Sequence, residues 1–153
     1  MRCSNATWPS TLFGTYGVTR AFLPLLARSR GAIVNILSVY AFAPLPLIPA
    51  YSISKAAASS LTQSQRALVA GRGVRVHAMV TGPVDTEMTR GFDIPKAAPE
   101  SVARAILDGV EDGEEDIFPD PMSQAMAEGW RGGAAKALER QNAALAQAAP
   151  VPS

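Results

Sequence analysis

The chain has 153 residues, 48% of them hydrophobic, which suits a single domain with a buried core. Its 14 basic and 13 acidic residues are mixed along the sequence and give a net charge of +1, which argues against a nucleic-acid or anionic-membrane partner. Cys3 is the only cysteine, which excludes a disulfide or a cysteine-based metal site within one chain, and the lack of an apolar run of about eighteen residues or of a signal-peptide core predicts a cytoplasmic protein.

The first predicted element is a helix. Residues 1–10 show no periodicity and are interpreted as an irregular lead-in. Over residues 12–29 the apolar side chains recur at helical spacing, and Pro24 inside this segment predicts a local bend. Gly31 then ends the helix and leads into the next element.

A buried strand is predicted over residues 32–37. This segment is apolar except for Asn35 and rich in branched side chains, which is typical of a parallel-sheet strand covered on both faces. Ser38 follows at its carboxyl end. Because ligands of open α/β sheets bind just beyond the carboxyl ends of the strands, we expect Ser38 to face a substrate.

Tyr51 and Lys55 lie four residues apart in a helix predicted over residues 51–70, with Pro49 marking its start. Residues at this spacing share one face of a helix, so the ammonium lies near the phenol. A phenol with a reference pKa of about 10 is a poor base at neutral pH, but a cation and the positive end of a helix dipole both favour the phenolate. Tyr51 can then exchange a proton with an alcohol or carbonyl, while Ser38 holds the substrate oxygen.

The loop between Ser38 and Tyr51 contains three prolines and no charged residue. Loops above the carboxyl edge of a sheet concentrate binding residues, which favours an apolar substrate pocket over an ordinary buried loop. The candidate wall residues of this pocket are Tyr40, Phe42, Leu45, Leu47 and Ile48.

A second strand is predicted over residues 74–80, with apolar residues alternating along one face. His77, the only histidine, is interpreted as a satisfied and partly buried strand residue rather than as a base or metal ligand. Residues 89–97 are interpreted as a mobile substrate lid.

The C-terminal part predicts a helix from Pro99, a short strand over residues 116–118 and a last helix around residues 122–130. The acidic residues between 111 and 116 are interpreted as a solvated turn, not as a metal site. Residues 131–153 are expected to form a helical and then disordered tail.

The spacing of Ser38, Tyr51 and Lys55 resembles the catalytic core of the short-chain dehydrogenase/reductase family, in which a serine that ends a strand precedes a Tyr-x-x-x-Lys helix. The resemblance implies that Tyr51 is the general acid/base and also contacts the cofactor, and that Lys55 lowers the pKa of Tyr51 and holds the nicotinamide ribose. Ser38 would orient the substrate oxygen. Thr11 stands where the family usually has an asparagine that anchors a water of a proton relay.

Residues 81–88 resemble the PGxxxT element of the same family, with Thr81 in place of the usual proline. The resemblance implies that Gly82 permits close backbone approach and that Val84 offers backbone groups to the nicotinamide carboxamide. It also implies that Thr86 hydrogen-bonds the amide or phosphate of the cofactor. The alternative is a plain turn into a helix.

The resemblance also implies a cofactor, NAD or NADP, and a small-molecule alcohol or carbonyl substrate, which the uncharged loop suggests is apolar. It further implies a homo-oligomer that associates through the helices over residues 12–29 and 51–70. The reaction would be reversible hydride transfer between the cofactor and the substrate, because the cofactor carries the hydride.

The resemblance covers residues 11–130 and corresponds to the second half of the family's domain. We find no glycine-rich turn between a strand and a helix and therefore expect the first, cofactor-binding half to be absent. The expected fold is α/β, a partial Rossmann-like doubly wound parallel sheet of about three strands with flanking helices, with the serine strand at one edge.

Two alternative functions stay open. One is a truncated, non-catalytic remnant that at most pairs with a complete paralogue, and the missing glycine-rich turn favours it. The other is a sugar-nucleotide epimerase with the same tyrosine–lysine pair, which the compact element at residues 81–88 disfavours.

Overall fold

The computed structural model describes residues 7–148, with side chains from Thr11 onward. The elements in chain order are α1 (Thr7–Ser29), β1 (Ala32–Ile36), α2 (Pro49–Val69), β2 (Arg75–Met79), α3 (Pro99–Glu111), β3 (Asp116–Ile117), α4 (Pro121–Arg131) and α5 (Ala134–Ala148). Short 3-10 turns lie at Val39–Ala41, Ala70–Arg72 and Glu87–Thr89. No helix within this range is both long enough and apolar enough to cross a bilayer.

The three strands form one parallel sheet in the order β1-β2-β3. This confirms the predicted α/β class with about three parallel strands and flanking helices. Within the described residues β1 lies at one edge of the sheet, as expected. Leu37 donates its amide to Met79 O, so the backbone groups of the preceding residue, Ile36, point away from β2.

The two faces of the sheet pack against different helices. Asn35 of β1 donates to Thr62 and Gln65 of α2, which places α2 over one face. Ile36, Met79 and Ile117 are register partners, and they lie on the face opposite Asn35 because side chains alternate along a strand. Gly109 of α3 lies against Ile117, which places α3 over this second face. Helices on both faces make this a doubly wound sheet.

The larger core cluster surrounds the carboxyl ends of the strands. Its buried members are Leu37, Val39, Ala58, Ala78, Val80, Phe118 and Ala127. A smaller cluster of Val69, Val74 and Val76 fills the space near the other end of β2. Because the larger cluster includes residues on both sides of Ser38, the end of β1 is firmly packed.

The observed elements lie close to the predicted ones, with one clear difference at the N-terminus. Helices α2 and α3 each have a proline in the first turn, where the missing N–H costs no hydrogen bond. Helix α1 starts at Thr7, inside the segment 1–10 predicted to be irregular. Residues 1–6 and 149–153, including the tail end predicted to be disordered, lie outside the described residues.

The predicted solvated acidic turn is wrong for Asp116. Its side chain is buried, and it accepts hydrogen bonds from Arg66 Nη2 at 2.9 Å and Trp130 Nε1 at 2.9 Å. Lys136 Nζ lies 2.7 Å from Oδ2 of the same carboxylate. The pattern of five nearby acids did not reveal these partners, because each of them comes from a different helix.

The interpretation of His77 also needs correction. The side chain is fully buried rather than partly buried, because β2 is covered on both faces. Its Nδ1 lies 2.5 Å from Glu114 O, whereas Nε2 has no partner among the described residues. The histidine is therefore only half satisfied.

Candidate active site

Ser38 follows β1 and is buried, with 4% of its surface exposed. The parallel pairing continues beyond the strand, because Val39 donates its amide to Thr81 O at 3.0 Å. Ser38 caps the short turn that follows, and its Oγ accepts the Tyr40 amide at 3.3 Å. The hydroxyl proton is left for another acceptor.

Lys55 extends from the second turn of α2 toward the end of β1. Its Nζ donates to Ile36 O at 2.8 Å, two residues before Ser38. Burial lowers the pKa of Lys55 below its ordinary value. An ammonium has three N–H donors, so two others can serve a ligand.

Tyr51 lies one turn before Lys55 on the same helix and is half-buried. Lys55 Nζ is 5.6 Å from the centre of the Tyr51 ring, close enough for a direct electrostatic contact. Ser54 Oγ donates to Tyr51 O at 2.7 Å, and Leu45 donates its amide to Ser52 Oγ at 3.1 Å, which fixes the incoming loop on the helix start.

The segment predicted to contact a cofactor follows β2 directly. Asp85 donates its amide to Ala97 O and Ala97 donates to Pro83 O, both at 2.9 Å, so this segment and the one before α3 run side by side. Thr89 Oγ1 donates to Val84 O at 2.5 Å. The Val84 carbonyl is therefore engaged, and Thr86 is exposed.

The candidate pocket residues divide into two groups. Tyr40 and Phe42 are half-buried and pack against the larger core cluster, and the Phe42 ring lies 4.4 Å from that of Trp130. Leu45 is half-buried, whereas Ile48 is exposed, as is Leu47. Leu45 and Ile48 are thus better placed to meet an incoming molecule than Phe42 is.

Two contacts link α2 and the segment after β2 to the end of β1. Lys55 contacts β1 just before Ser38, and the residue after Ser38 is bonded to Thr81. A hydroxyl, a phenol and an ammonium at the carboxyl ends of parallel strands are groups suited to holding and protonating a substrate oxygen. Fold and site together define an open parallel α/β protein with a candidate proton-transfer site at the strand ends.

Sequence reasoning missed Asp120, which lies beside this site. Its carboxylate accepts the Gly82 amide at 2.8 Å and the Thr81 hydroxyl at 3.1 Å. A signal was present, because Asp120 followed by Pro121 and then by Ser123 is typical of a helix N-terminus. That pattern predicts the cap on α4 but not the contact to Thr81 and Gly82.

Comparison with known proteins identifies the family. The family model described as short chain dehydrogenase matches residues 5–96, which is more than half of the chain. The chain therefore belongs to the short-chain dehydrogenase/reductase family, which confirms the resemblance found in the sequence.

Individual relatives extend this comparison. An uncharacterized oxidoreductase of Staphylococcus epidermidis is 39% identical over 98 residues, which cover 61% of this chain and 43% of that protein. A protein of Xanthobacter autotrophicus named inactive 2-(S)-hydroxypropyl-CoM dehydrogenase 2 is 39% identical over 95 residues, covering 61% of this chain and 41% of that protein.

A solved structure matches over a larger share of the chain. A short chain dehydrogenase from Burkholderia cenocepacia, crystallised in complex with NADP, aligns with a TM-score of 0.75 and 38% identity. The match covers 86% of this chain and 55% of that one. The chain thus spans about half the length of the proteins it matches.

Proposed function

We propose that the chain carries the proton-transfer part of an NAD(P)-dependent oxidoreductase, in which a hydride passes reversibly between the cofactor and a secondary alcohol or carbonyl. The observation that carries the proposal is the position of Lys55, with Nζ 2.8 Å from Ile36 O beside Ser38 and 5.6 Å from the Tyr51 ring. Membership of the family and the NADP complex of the Burkholderia neighbour support the cofactor class.

In this proposal each of the three side chains has a separate role. Tyr51 donates a proton to the carbonyl oxygen, or removes one from the alcohol in the reverse direction. The positive charge of Lys55 stabilises negative charge on the phenol oxygen while the proton moves. Ser38, held at the end of β1, donates its free hydroxyl proton to the substrate oxygen on which charge develops.

The residues at the strand ends fit the nicotinamide end of the cofactor. Lys55 retains N–H donors suited to ribose hydroxyls, and exposed Thr86 offers a hydroxyl beside the loop. Since the Val84 carbonyl already accepts from Thr89, we assign the Val84 amide to the carboxamide and Gly82 to the close backbone approach. When bound, the nicotinamide ring supplies or accepts the hydride.

The same residues do not fit the pyrophosphate. Within residues 7–148 none of the turns that follow β1, β2 and β3 is a glycine-rich turn that opens a helix. The turn after β3 opens α4 with Asp120, a carboxylate that repels phosphate. We therefore place only the nicotinamide end on these residues.

We propose that the substrate binds along the loop between β1 and α2. Leu45, half-buried, and Ile48, exposed, offer it an apolar surface beside Tyr51, while Tyr40 and Phe42 support this loop from the core side. An apolar ketone is accordingly the probe of choice.

The proposal is tested with NADPH and an aryl ketone. We expect the chain to bind NADPH, detected by cofactor fluorescence, and to reduce the ketone. Tyr51→Phe should keep NADPH binding but slow the reduction by at least about a hundredfold, because it removes the proton donor. Tyr16→Phe, an exposed tyrosine on α1, is the matched control and should change neither. Turnover retained by Tyr51→Phe would remove the assignment.

A second function, a non-catalytic remnant that pairs with a complete paralogue, is favoured by one specific observation. The edge of β1 is uncovered within the described residues, and no pyrophosphate site accompanies it. This alternative predicts no NADPH binding by the wild-type chain even at millimolar cofactor. The same titration therefore distinguishes the two functions. A cytoplasmic location and the unit over residues 11–130 stay predictions.

A further inference from the structure

Asp120 makes an unusual number of contacts for a residue in a turn. It is buried, with 3% of its surface exposed. Its Oδ1 accepts the amides of Met122 at 3.0 Å and Ser123 at 3.2 Å. Its Oδ2 accepts the Gly82 amide at 2.8 Å, the Thr81 hydroxyl at 3.1 Å and the Ser123 hydroxyl at 2.7 Å.

The two carboxylate oxygens serve different parts of the fold. Oδ1 satisfies free amides at the start of α4, which is an ordinary helix cap. Oδ2 reaches the segment after β2, nearly forty residues away in sequence. Although burial opposes ionisation, hydrogen bonds from Gly82 and Ser123 hold the pKa of Asp120 below its usual range, so the group is a carboxylate at neutral pH.

Gly82 makes this close approach possible. A Cβ at this position would lie 2.7 Å from Asp120 Oδ1 and 3.0 Å from Met122 Cβ. Any other residue would push the loop away from α4. Thr81 stands where the family usually has a proline, and it lacks the ring that would restrict the backbone there. Its hydroxyl bond to Asp120 holds it toward α4 instead.

The segment held by Asp120 is the one that carries the proposed cofactor contacts. Its first residue, Thr81, is bonded through O to the amide next to Ser38. Further along the segment, Asp85 donates its amide to Ala97 O, and the Ala97 amide donates to Pro83 O. Displacement of Gly82 would therefore move Val84 and Thr86 relative to Ser38.

We propose that Asp120 is a positioning residue, which through Oδ2 fixes Thr81 and Gly82 and so sets where Val84 and Thr86 meet the cofactor. This inference rests on the proposed function. It predicts that the hydrogen bonds from Thr81 and Gly82 to Asp120 Oδ2, and not the cap on α4, keep the segment after β2 in place.

Asp120→Ser separates the two roles. Serine caps a helix as well as aspartate does, but its side chain is too short to reach Gly82 and Thr81. Amide hydrogen exchange reports on the loop without any cofactor. We expect the Asp85 and Ala97 amides to exchange at least about tenfold faster, a change of about 1.4 kcal/mol in local opening, while the Gln124 amide of α4 is unchanged. Asp112→Ser, at an exposed turn residue, is the control and should match the wild type.

Unchanged exchange at Asp85 and Ala97 in Asp120→Ser would overturn the inference and leave Asp120 as a helix cap. If Asp120→Ser does not fold, Thr81→Val decides the question, because it removes one bridging bond and leaves the cap intact. Faster exchange at Asp85 in Thr81→Val supports the inference, and unchanged exchange overturns it.

The cofactor supplies a second measurement. Where the wild-type chain binds NADPH, Asp120→Ser should weaken binding about tenfold, and Asp120→Asn, which keeps one acceptor oxygen, should weaken it less. Absence of binding by the wild type counts against the proposed function alone. Unchanged amide exchange counts against the role of Asp120 alone.

Discussion

At the scale of single residues, Lys55 shows how one side chain links the helix to the strand. Its Nζ crosses from α2 to the carbonyl of Ile36, a group that points away from β2. The bond holds the ammonium near Tyr51 on its own helix and near Ser38, which follows β1. The position of the Lys55 ammonium, and with it the proposed proton transfer, thus depends on the Ile36 carbonyl of β1.

Glycine contacts give a residue-scale prediction. A Cβ on Gly109 of α3 would lie 2.8 Å from Ile117 Cγ1, whereas one on Gly17 of α1 would meet no atom within 4 Å in the part of the chain that the structure describes. Gly109→Ala should lower the free energy of unfolding by about 1–2 kcal/mol, because overpacking exceeds the gain in helix propensity. Gly17→Ala should raise it by up to about 1 kcal/mol. Urea unfolding measures both, and a stabilised Gly109→Ala would contradict the packing of α3 on β3.

At the scale of elements, a group of mostly buried charges attaches α5 to the rest of the chain. Lys136 of α5 is 1% exposed, and its Nζ lies 2.7 Å from Asp116, 2.9 Å from Glu115 and 3.0 Å from Glu139. Arg66 of α2 contacts Asp116 at 2.9 Å and Glu139 at 2.5 Å. Burial opposes the charge on Lys136, but the carboxylates raise its pKa above the ordinary value.

Lys136→Met should destabilise the fold by about 3 kcal/mol, because it removes one of the two cations that face the buried carboxylates of Asp116 and Glu139 and leaves Arg66 to balance both. Arg131→Met, which breaks an exposed pair with Glu114 at 3.3 Å, should change stability by less than about 1 kcal/mol. Urea unfolding at neutral pH distinguishes them. A loss below 1 kcal/mol for Lys136→Met would show that α5 is held by other contacts.

Acid provides an independent check on the same prediction. Burial opposes ionisation of Asp116, but Arg66 and Lys136 outweigh it and lower the pKa of Asp116. A carboxyl with a lowered folded-state pKa stabilises the fold above its unfolded pKa of about 4, and this contribution is lost as the pH falls through the folded pKa. The difference between wild type and Lys136→Met should therefore shrink in acid.

At the scale of the whole molecule, the sequence predicted the elements well and the contacts between distant elements poorly. Strand and helix positions follow from periodicity, so β1 and α2 end within a residue or two of the predicted positions. The pairing of Asp116 with Arg66 and Lys136, and of Asp120 with Thr81, depends on how helices meet in space. No local pattern carries that information, and the oligomeric state is a property of the same kind.

Self-association through α1 is the prediction at this scale. Val18, Phe22 and Leu25 are exposed and lie at helical spacing, forming an apolar stripe on α1. We expect an oligomer in solution and a shift toward monomer in Phe22→Glu, measured by light scattering. Tyr16→Glu, at an exposed residue on the other side of α1, is the control. Equal masses for the wild type and Phe22→Glu would argue against this stripe.

The bond between Lys55 and the Ile36 carbonyl also bears on aggregation of the protein. An uncovered strand edge is a template for stacking of one molecule on the next, and natural sheets discourage such stacking with a charged side chain at the edge. Lys55 places that charge on β1. Neutralising Lys55 would remove both the charge that protects this edge and a hydrogen-bond donor of the proposed site. A solution of a Lys55 variant should therefore grow turbid as the variant loses turnover, so Tyr51 is the better residue for testing the chemistry.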